Sequence, residues 1–161
     1  MIVVVMGVSG AGKSTIGAAL ALELGWRFID ADDHHPPANV AKMAAGVPLT
    51  DSDRAPWLDA LNLLLRKERQ AVLACSALKQ SYRDRLTAGV PGAVFVYLKG
   101  EFELISGRLA GRRHRYMPAS LLKSQFETLE PPGKSVAVDV DADVPACVAA
   151  IVKELRNQFP M

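Results

Sequence analysis

The chain has 161 residues, and its 19 basic and 17 acidic side chains leave a formal net charge of only +2. A chain of this length fits one domain with a single sizeable core, so we treat residues 1–161 as one domain. The small net charge gives no reason to expect a nucleic-acid partner, and the N-terminal apolar run Ile2–Met6 is far too short for a membrane span or a signal peptide.

Five short runs of β-branched and apolar residues alternate with segments of helical periodicity. We predict strands at residues 2–6, 27–30, 71–75, 93–98 and 136–140. Alternation of β and α elements is typical of a parallel sheet that is covered by helices on both faces. The sequence therefore predicts an α/β fold with three layers.

Local signals indicate where the helices begin and end. The first should run over residues 15–24 and stop at Gly25, which suits a left-handed cap, and the second should open at Pro36 and Pro37. Apolar side chains at helical spacing predict three more buried helix faces. They are Leu58, Leu61 and Leu65 in a helix over residues 53–69, then Phe102, Ile105 and Leu109, and finally Val144, Cys147, Val148, Ile151, Val152, Leu155 and Phe159.

The two cysteines, Cys75 and Cys147, lie far apart in the chain and in apolar surroundings. We predict two buried free thiols rather than a disulfide bridge. Free thiols are typical of a reducing compartment, so we expect a cytoplasmic protein.

Residues 7–14, between the first strand and the first helix, carry the pattern G-x-x-x-x-G-K-[ST] of a phosphate-binding P-loop. Its glycines let the backbone turn, so that unpaired N–H groups at a helix N-terminus face an anion. In this pattern Lys13 reaches the β- and γ-phosphates, and the Ser14 hydroxyl ligates Mg²⁺. The sequence therefore predicts a nucleoside triphosphate site.

An acidic and imidazole-rich segment, residues 30–35, directly follows the second strand, where open α/β sheets bind ligands. A kinase needs one carboxylate near the acceptor hydroxyl and another that holds Mg²⁺ through water, and Asp30 and Asp32 together could supply these two roles. The alternative is that they only cap a helix or a turn. Adjacent His34 and His35 point apart and have no third ligand at useful spacing, so we expect substrate contact by His35, with a solvated loop as the alternative.

Three cations, Arg54, Lys79 and Arg83, are predicted near strand ends or helix starts. Each alone fits a solvated surface charge, which remains the alternative. Grouped around a pocket, they would suit an acceptor that bears a carboxylate, since the guanidinium fork matches that group.

A basic segment between Gly and Pro residues, at about 110–120, has no apolar period. With Arg108 before it, its arginines could form a nucleic-acid patch or a lid that closes on the triphosphate. We favour the lid because a P-loop is present, the net charge is low and Tyr116 is the one interleaved aromatic residue. The arginines in question are Arg108, Arg112, Arg113 and Arg115.

Several further segments occur together in one known family. They are residues 6–14, His35-Pro36, Lys42-Met43-Ala44, Asp53-Arg54, Pro56-Trp57-Leu58, residues 75–79, Tyr82-Arg83-Asp84, residues 97–100 and residues 124–130. On these segments nearly the whole chain resembles the small P-loop gluconokinases, which are relatives of shikimate kinase and the nucleoside monophosphate kinases. The P-loop is shared by many unrelated proteins, whereas residues 53–54, 75–79 and 125–130 are far more specific.

The resemblance implies a three-layer P-loop kinase fold with a five-stranded parallel sheet of order 2-3-1-4-5 and a lid. It implies ATP-dependent phosphorylation of D-gluconate at its 6-hydroxyl, with Mg²⁺ on Ser14 and, through water, on Asp30. The catalytic residues would be Lys13, Asp32 and Arg113, although the resemblance leaves open which lid arginine meets the γ-phosphate. The ATP site would comprise Gly7, Ser9, Gly10, Ala11, Gly12, Lys13, Ser14, Thr15, Arg108, Arg112, Asp141 and Pro145. The gluconate site would comprise Asp32, His35, Arg54, Lys79, Arg83 and Gln125.

Two alternative functions stay open at this point. One is another small-metabolite kinase, such as a shikimate kinase, and the other is a nucleic-acid-stimulated ATPase. The N-K-x-D motif of GTPases is absent from the sequence, which argues against a GTPase switch. We expect a small-molecule substrate and no membrane or nucleic-acid partner, and the sequence leaves open whether the protein forms a homodimer.

Overall fold

A computed structural model of the chain describes residues 1–110 and 119–159, without the side chains of residues 119 and 120. Within these ranges strands and helices alternate, as predicted. The strands are β1 (Ile2–Met6), β2 (Arg27–Asp30), β3 (Ala71–Ala74), β4 (Ala93–Lys99) and β5 (Val136–Asp139). The helices are α1 (Lys13–Leu24), α2 (Pro37–Ala44), α3 (Asp51–Arg66), α4 (Gln80–Thr87), α5 (Phe102–Ala110), α6 (Ala119–Thr128) and α7 (Val144–Gln158), and a short 3₁₀-helix, Ala31–His34, follows β2.

β1 is the central strand of the sheet. It pairs in parallel with β3 on one side and with β4 on the other, while β2 and β5 form the edges, so that the order is β2-β3-β1-β4-β5. This order confirms the predicted fold class. Because all five strands are parallel, their carboxyl ends meet at one edge of the sheet, where the connecting loops can share a ligand.

Two hydrophobic cores cover the two faces of the sheet, because successive side chains of a strand point to opposite faces. Val3 and Val5 of β1 pack with α1, α5 and α7. Ile2, Val4 and Met6 pack with α3 and α4 on the other face. The predicted inner faces are buried as expected, with Val144, Phe102 and Phe159 only partly covered at the margin of the first core.

The observed helix ends follow from local capping. Gly25 ends α1 in the left-handed region, with φ of 71°, as predicted. α3 begins at Asp51, earlier than expected, because Thr50 and Asp53 form a capping box. The Asp53 amide donates to Thr50 Oγ1 at 3.1 Å, and the Thr50 amide donates to Asp53 Oδ2 at 2.8 Å. α3 then ends at Arg66 rather than at residue 69, and α6 has no counterpart in the prediction.

Several other expectations meet the structure in part. Cys75 and Cys147 are free and buried, as predicted. Among the described residues, no helix is both long enough and apolar enough to cross a membrane. The predicted lid falls mostly on residues 111–118, which lie outside the described residues, so the roles of Arg112 and Arg113 stay sequence predictions.

Candidate active site

The P-loop connects β1 to α1, as the sequence pattern predicts. Gly10 and Gly12 have φ values of +84° and +99°, which L side chains rarely adopt, and Gly12 is the N-cap of α1. The Lys13 ammonium donates to the Val8 carbonyl at 2.9 Å and thereby bridges the two ends of the loop. Lys13 and Ser14 occupy the first turn of α1, where a helix N-terminus can bind an anion such as phosphate.

Asp30 at the end of β2 connects this loop to the second strand. Its Oδ2 accepts from the Ser14 hydroxyl at 2.7 Å, and its Oδ1 accepts from the Asp32 amide at 3.0 Å, which caps the 3₁₀-helix. The two residues predicted to hold Mg²⁺ are therefore in direct contact. A hydroxyl and a carboxylate are the oxygen donors that Mg²⁺ prefers, so this pair fits the ion.

A cavity of about 870 Å³ lies at the carboxyl edge of the sheet, between the P-loop and the helices α2, α3 and α6. Its wall combines residues from both predicted sites. From the predicted triphosphate site come Ser9, Gly10, Gly12, Lys13, Ser14 and Thr15, and from the predicted acceptor site come Asp32, His35, Arg54 and Gln125. The predicted triphosphate site and the predicted acceptor site therefore share one cavity, which is large enough for two small substrates.

Arg54 is held in the cavity wall by three contacts. Its Nη1 donates to the Leu49 carbonyl at 2.6 Å and to the Tyr82 hydroxyl at 3.1 Å, and its guanidinium lies 5.0 Å from the centre of the Tyr82 ring. The Tyr82 hydroxyl in turn donates to Asp51 Oδ1. Arg54 is therefore a pre-oriented cation, and its remaining N–H groups can meet an anion in the cavity.

Lys79 is part of the same cluster but does not line the cavity. Its ammonium lies 3.2 Å from Asp51 Oδ1 and 5.5 Å from the Tyr82 ring centre. The Tyr82 hydrogen bond, followed by the Lys79 contact, holds the pKa of Asp51 below its usual value. Lys79 therefore stands at the margin of the predicted acceptor site, balanced by a carboxylate.

Arg83 lies away from the cavity, contrary to its sequence-based assignment to the gluconate site. The residue is 1% exposed, and its guanidinium donates to the carbonyls of Ala77 at 2.7 Å and Glu130 at 2.8 Å. Ala77 has φ of 44°, in the left-handed region that disfavours a side chain, so Arg83 stabilises a strained turn. The structure gives this cation main-chain partners because helix α4 turns it inward, which its neighbours in sequence do not reveal.

Gln125 of α6 contacts the P-loop. Its Oε1 accepts from the Ser9 amide at 2.8 Å, and its Nε2 donates to Ser9 Oγ at 3.2 Å. Gln125 also lines the cavity, so its position agrees with either the predicted acceptor site or a support for the phosphate loop.

Of the residues predicted around adenine, Arg108 of α5 contacts the segment that follows β5, and Arg108, Asp141 and Pro145 do not line the cavity. Arg108 Nη2 donates to the Val140 carbonyl at 2.6 Å, at the start of the loop that contains Asp141. Pro145 occupies the first turn of α7, whose N-cap is Asp143. The structure therefore brings Arg108 and this loop together, and their contact with adenine stays a prediction.

His35 is enclosed rather than exposed. Its ring stacks on Trp57 with 4.1 Å between centroids, its Nδ1 lies 3.2 Å from Asn39 Nδ2, and its Nε2 lies 3.7 Å from Asp32 Oδ1. Burial lowers the pKa of His35 below its usual value, the Asp32 carboxylate opposes this shift, and the nearby Arg54 adds to it. The lowered pKa favours the neutral form of the His35 imidazole at neutral pH.

Sequence reasoning missed Asn39, Trp57 and Tyr82 as members of the site. Asn39 follows His35 by four residues, but His35 is extended and precedes α2, which begins at Pro37, so this spacing is not a helical signal. The burial of Asn39 and the stacking of His35 on Trp57 come from the packing of α2 on α3, and no local pattern announces them.

Comparison with known proteins adds an independent observation. A family profile described as shikimate kinase matches residues 9–131. The chain is 45% identical to a probable gluconokinase of Mus musculus, over 96% of this chain and 97% of the relative. It is 42% identical to the thermoresistant gluconokinase of Escherichia coli (strain K12), over 97% and 94%. The crystal structure of a gluconokinase from Sinorhizobium meliloti 1021 has 44% identity and a TM-score of 0.88, over 98% of this chain and 94% of that one.

Proposed function

The chain belongs to the gluconokinase family, and from this premise we propose that it transfers the γ-phosphoryl group of ATP to the 6-hydroxyl of D-gluconate. The observation that carries the proposal is the shared cavity, which has the P-loop on one side and Asp32 and Arg54 on the other. A phosphoryl donor and an acceptor held in one enclosed space can react directly, because most of the entropic cost of their encounter is met by binding.

The P-loop side of the cavity binds the triphosphate. The loop amides and the Lys13 ammonium hold the phosphate oxygens and stabilise negative charge during transfer. Ser14 directly and Asp30 through water would hold Mg²⁺, which neutralises charge on the phosphates. Arg108 and the loop with Asp141 and Pro145 would border the adenine, and the lid arginines would close on the phosphates from residues 111–118.

The Asp32 side of the cavity binds the acceptor. Arg54 binds the gluconate carboxylate through its planar fork, and Asp32 orients the acceptor hydroxyl. The hydroxyl oxygen attacks the γ-phosphorus, the bond from that phosphorus to the β–γ bridging oxygen breaks, and the hydroxyl proton passes to the Asp32 carboxylate. The transfer is in line and has no covalent enzyme intermediate.

The two alternative functions are less well supported. Gluconokinase relatives cover nearly the whole chain at 42–45% identity, which does not favour shikimate as the acceptor. A nucleic-acid-stimulated ATPase would need a basic surface that a net charge of +2 does not suggest. A cytoplasmic location stays a prediction, and whether the protein forms a homodimer stays open.

The proposal is tested by ADP release with a panel of acceptors. D-gluconate, glucose, shikimate and nucleoside monophosphates are compared at equal concentration with MgATP. We expect turnover with gluconate alone. Strong turnover on another acceptor, with none on gluconate, would refute the assignment, and stimulation of ATP hydrolysis by RNA or DNA without a small acceptor would support the ATPase instead.

The role of Asp32 is tested with Asp32→Asn. We expect kcat to fall by about 100-fold or more, while ATP binding is nearly unchanged, because a positioned general base contributes that much to a proton transfer. Asp59→Asn is a matched control, since Asp59 is an aspartate of α3 that pairs with Arg85 outside the cavity. If Asp32→Asn kept a normal kcat, Asp32 would be neither the base nor the orienting group.

A further inference from the structure

Three buried side chains form a wall behind Asp32. They are His35, Asn39 and Trp57, of which Asn39 is 3% and Trp57 2% exposed, while the His35 side chain is 3% exposed. Trp57 Nε1 donates to the Ala31 carbonyl at 2.8 Å, and its ring stacks on His35. A wall of this kind is rigid, since each member is held by packing and by a hydrogen bond.

The Asn39 amide has one allowed orientation in this wall. Its Nδ2 lies 2.9 Å from the Asp53 carbonyl oxygen, which can only accept a hydrogen bond, so this end of the amide is the NH₂ donor. The same nitrogen lies 3.2 Å from His35 Nδ1 and has a second hydrogen to donate. His35 Nδ1 is therefore an acceptor, and the neutral ring carries its proton on Nε2.

The His35 Nε2–H group faces Asp32. The Nε2 to Oδ1 distance is 3.7 Å, slightly longer than a hydrogen bond, and the Asp32 side chain is 52% exposed and so has room to move. The main chain around Asp32 is already fixed, because Trp57 binds the Ala31 carbonyl and Asp30 binds the Asp32 amide. Only the side-chain torsions of Asp32 therefore remain free to change. The His35 Nε2–H group lies where a hydrogen bond to Asp32 can restrict those torsions.

We propose that Asn39 and His35 are positioning residues for phosphoryl transfer: Asn39 holds His35 as the Nε2–H tautomer, and His35 donates to one oxygen of Asp32 so that the other faces the acceptor hydroxyl. The inference rests on the proposed role of Asp32. A neutral donor suits this task, because it orients the carboxylate through a directional hydrogen bond and adds no charge beside the reacting groups. His35 then acts on the substrate through Asp32.

The first test observes the tautomer directly and needs no activity. The chain has three histidines, so ¹⁵N-labelled histidine gives a simple NMR spectrum, in which His35→Gln identifies the His35 signals. We expect neutral His35 with its proton on Nε2 in the unaltered protein. In Asn39→Asp, whose side chain can only accept when ionised, we expect the proton to move to Nδ1 or the ring to become charged. A proton on Nδ1, or a charged ring, in the unaltered protein at neutral pH would overturn the proposal.

The second test separates positioning from general destabilisation. For Asn39→Asp and His35→Asn we expect kcat with gluconate to fall about 10- to 100-fold, with KM for ATP unchanged, because misplacing a catalytic group costs this much. His35→Gln should retain most of kcat, since the glutamine amide nitrogen reaches the position of Nε2. Asn62→Asp is the matched control, because Asn62 is also buried and binds main-chain carbonyls, those of Leu86 and Ala88, outside the cavity. It should lower the unfolding temperature and leave kcat unchanged.

The outcomes distinguish this inference from the proposed function. A normal kcat in folded Asn39→Asp, or equal losses in His35→Gln and His35→Asn, would refute the positioning role while Asp32→Asn remains inactive. A normal kcat in Asp32→Asn would instead refute the proposed role of Asp32, and the tautomer spectrum would still report on the Asn39–His35 contact. If Asn39→Asp does not fold, the comparison of His35→Gln with His35→Asn and the NMR spectrum of the unaltered protein decide whether His35 positions Asp32.

Discussion

The P-loop is packed tightly against α5 at Gly10, and Gly10→Ala tests how much that contact contributes. A Cβ atom at this position would lie 2.8 Å from Leu109 Cγ and 3.0 Å from Ile105 Cγ2, both buried side chains of α5. The backbone also has φ of +84° there. An alanine would therefore meet a steric clash as well as an unfavourable backbone conformation.

Gly25→Ala supplies the matched control. Gly25 also has positive φ, of +71°, but no atom lies within 4 Å of the position of its Cβ. A left-handed backbone costs a non-glycine residue about 1–2 kcal/mol, and overpacking a core costs about 1–3 kcal/mol more. We therefore expect the free energy of unfolding to fall by about 1–2 kcal/mol in Gly25→Ala and by about 2–5 kcal/mol in Gly10→Ala.

Urea unfolding of both variants measures the difference between their free energies of unfolding. Titration with ATP measures how each substitution affects nucleotide binding. We expect weaker ATP binding in Gly10→Ala, because relief of the clash moves the loop whose amides meet the phosphates, and unchanged binding in Gly25→Ala. Equal stability losses in the two variants would refute the reasoning. They would mean that the loop moves away from α5 at no cost.

Three further predictions concern single side chains. Lys13→Ala should abolish turnover with every acceptor, and retained activity would contradict the phosphate site. Tyr82→Phe removes one hydrogen bond to Arg54 and keeps the aromatic ring, so steady-state kinetics should show KM for gluconate about 2- to 10-fold higher at unchanged KM for ATP. An unchanged KM for gluconate would show that the Leu49 carbonyl and the ring are enough to orient Arg54. The hydrogen bond from Lys42, followed by that from the Thr50 amide, lowers the pKa of Asp53 from 3.8 to about 2. The stabilisation that these bonds give is therefore complete above pH 3.8 and is lost as the pH falls toward about 2. The unfolding temperature of Asp53→Asn should therefore lie below that of the unaltered protein at neutral pH and approach it in this acidic range, and a constant difference would contradict the assignment.

The contacts that support the site from distant elements could not be predicted from the sequence. Gln125 and Ser9 are in contact although 116 positions separate them, and Arg83 meets the Glu130 carbonyl across 47 positions. Such contacts depend on how α6 and α4 pack, and α6 itself was not predicted. Leu122, Phe126 and Leu129 do recur at helical spacing and pack on the first core, so the sequence carried a short signal for α6.

Local features of the sequence determined the phosphate site and most of the fold. The P-loop is specified by consecutive residues, because its turn, its lysine and its hydroxyl act over one strand end and one helix start. The strands were also recognisable, since a parallel sheet buried on both faces requires continuous apolar runs. Strand order came from resemblance to a family, and the observed pairing of β1 with β3 and β4 confirms it.

Only the tertiary structure decided which polar side chains face the cavity. Arg54 and Arg83 look alike in sequence, yet Arg54 lines the cavity, whereas Arg83 is buried and donates to main-chain carbonyls. Asn39 carries no signal of its own, and it matters because α2 packs it between His35 and the Asp53 carbonyl. The physical reason is that a side chain's role depends on its burial and partners, which distant elements provide, whereas a helix cap or a P-loop depends on its immediate neighbours.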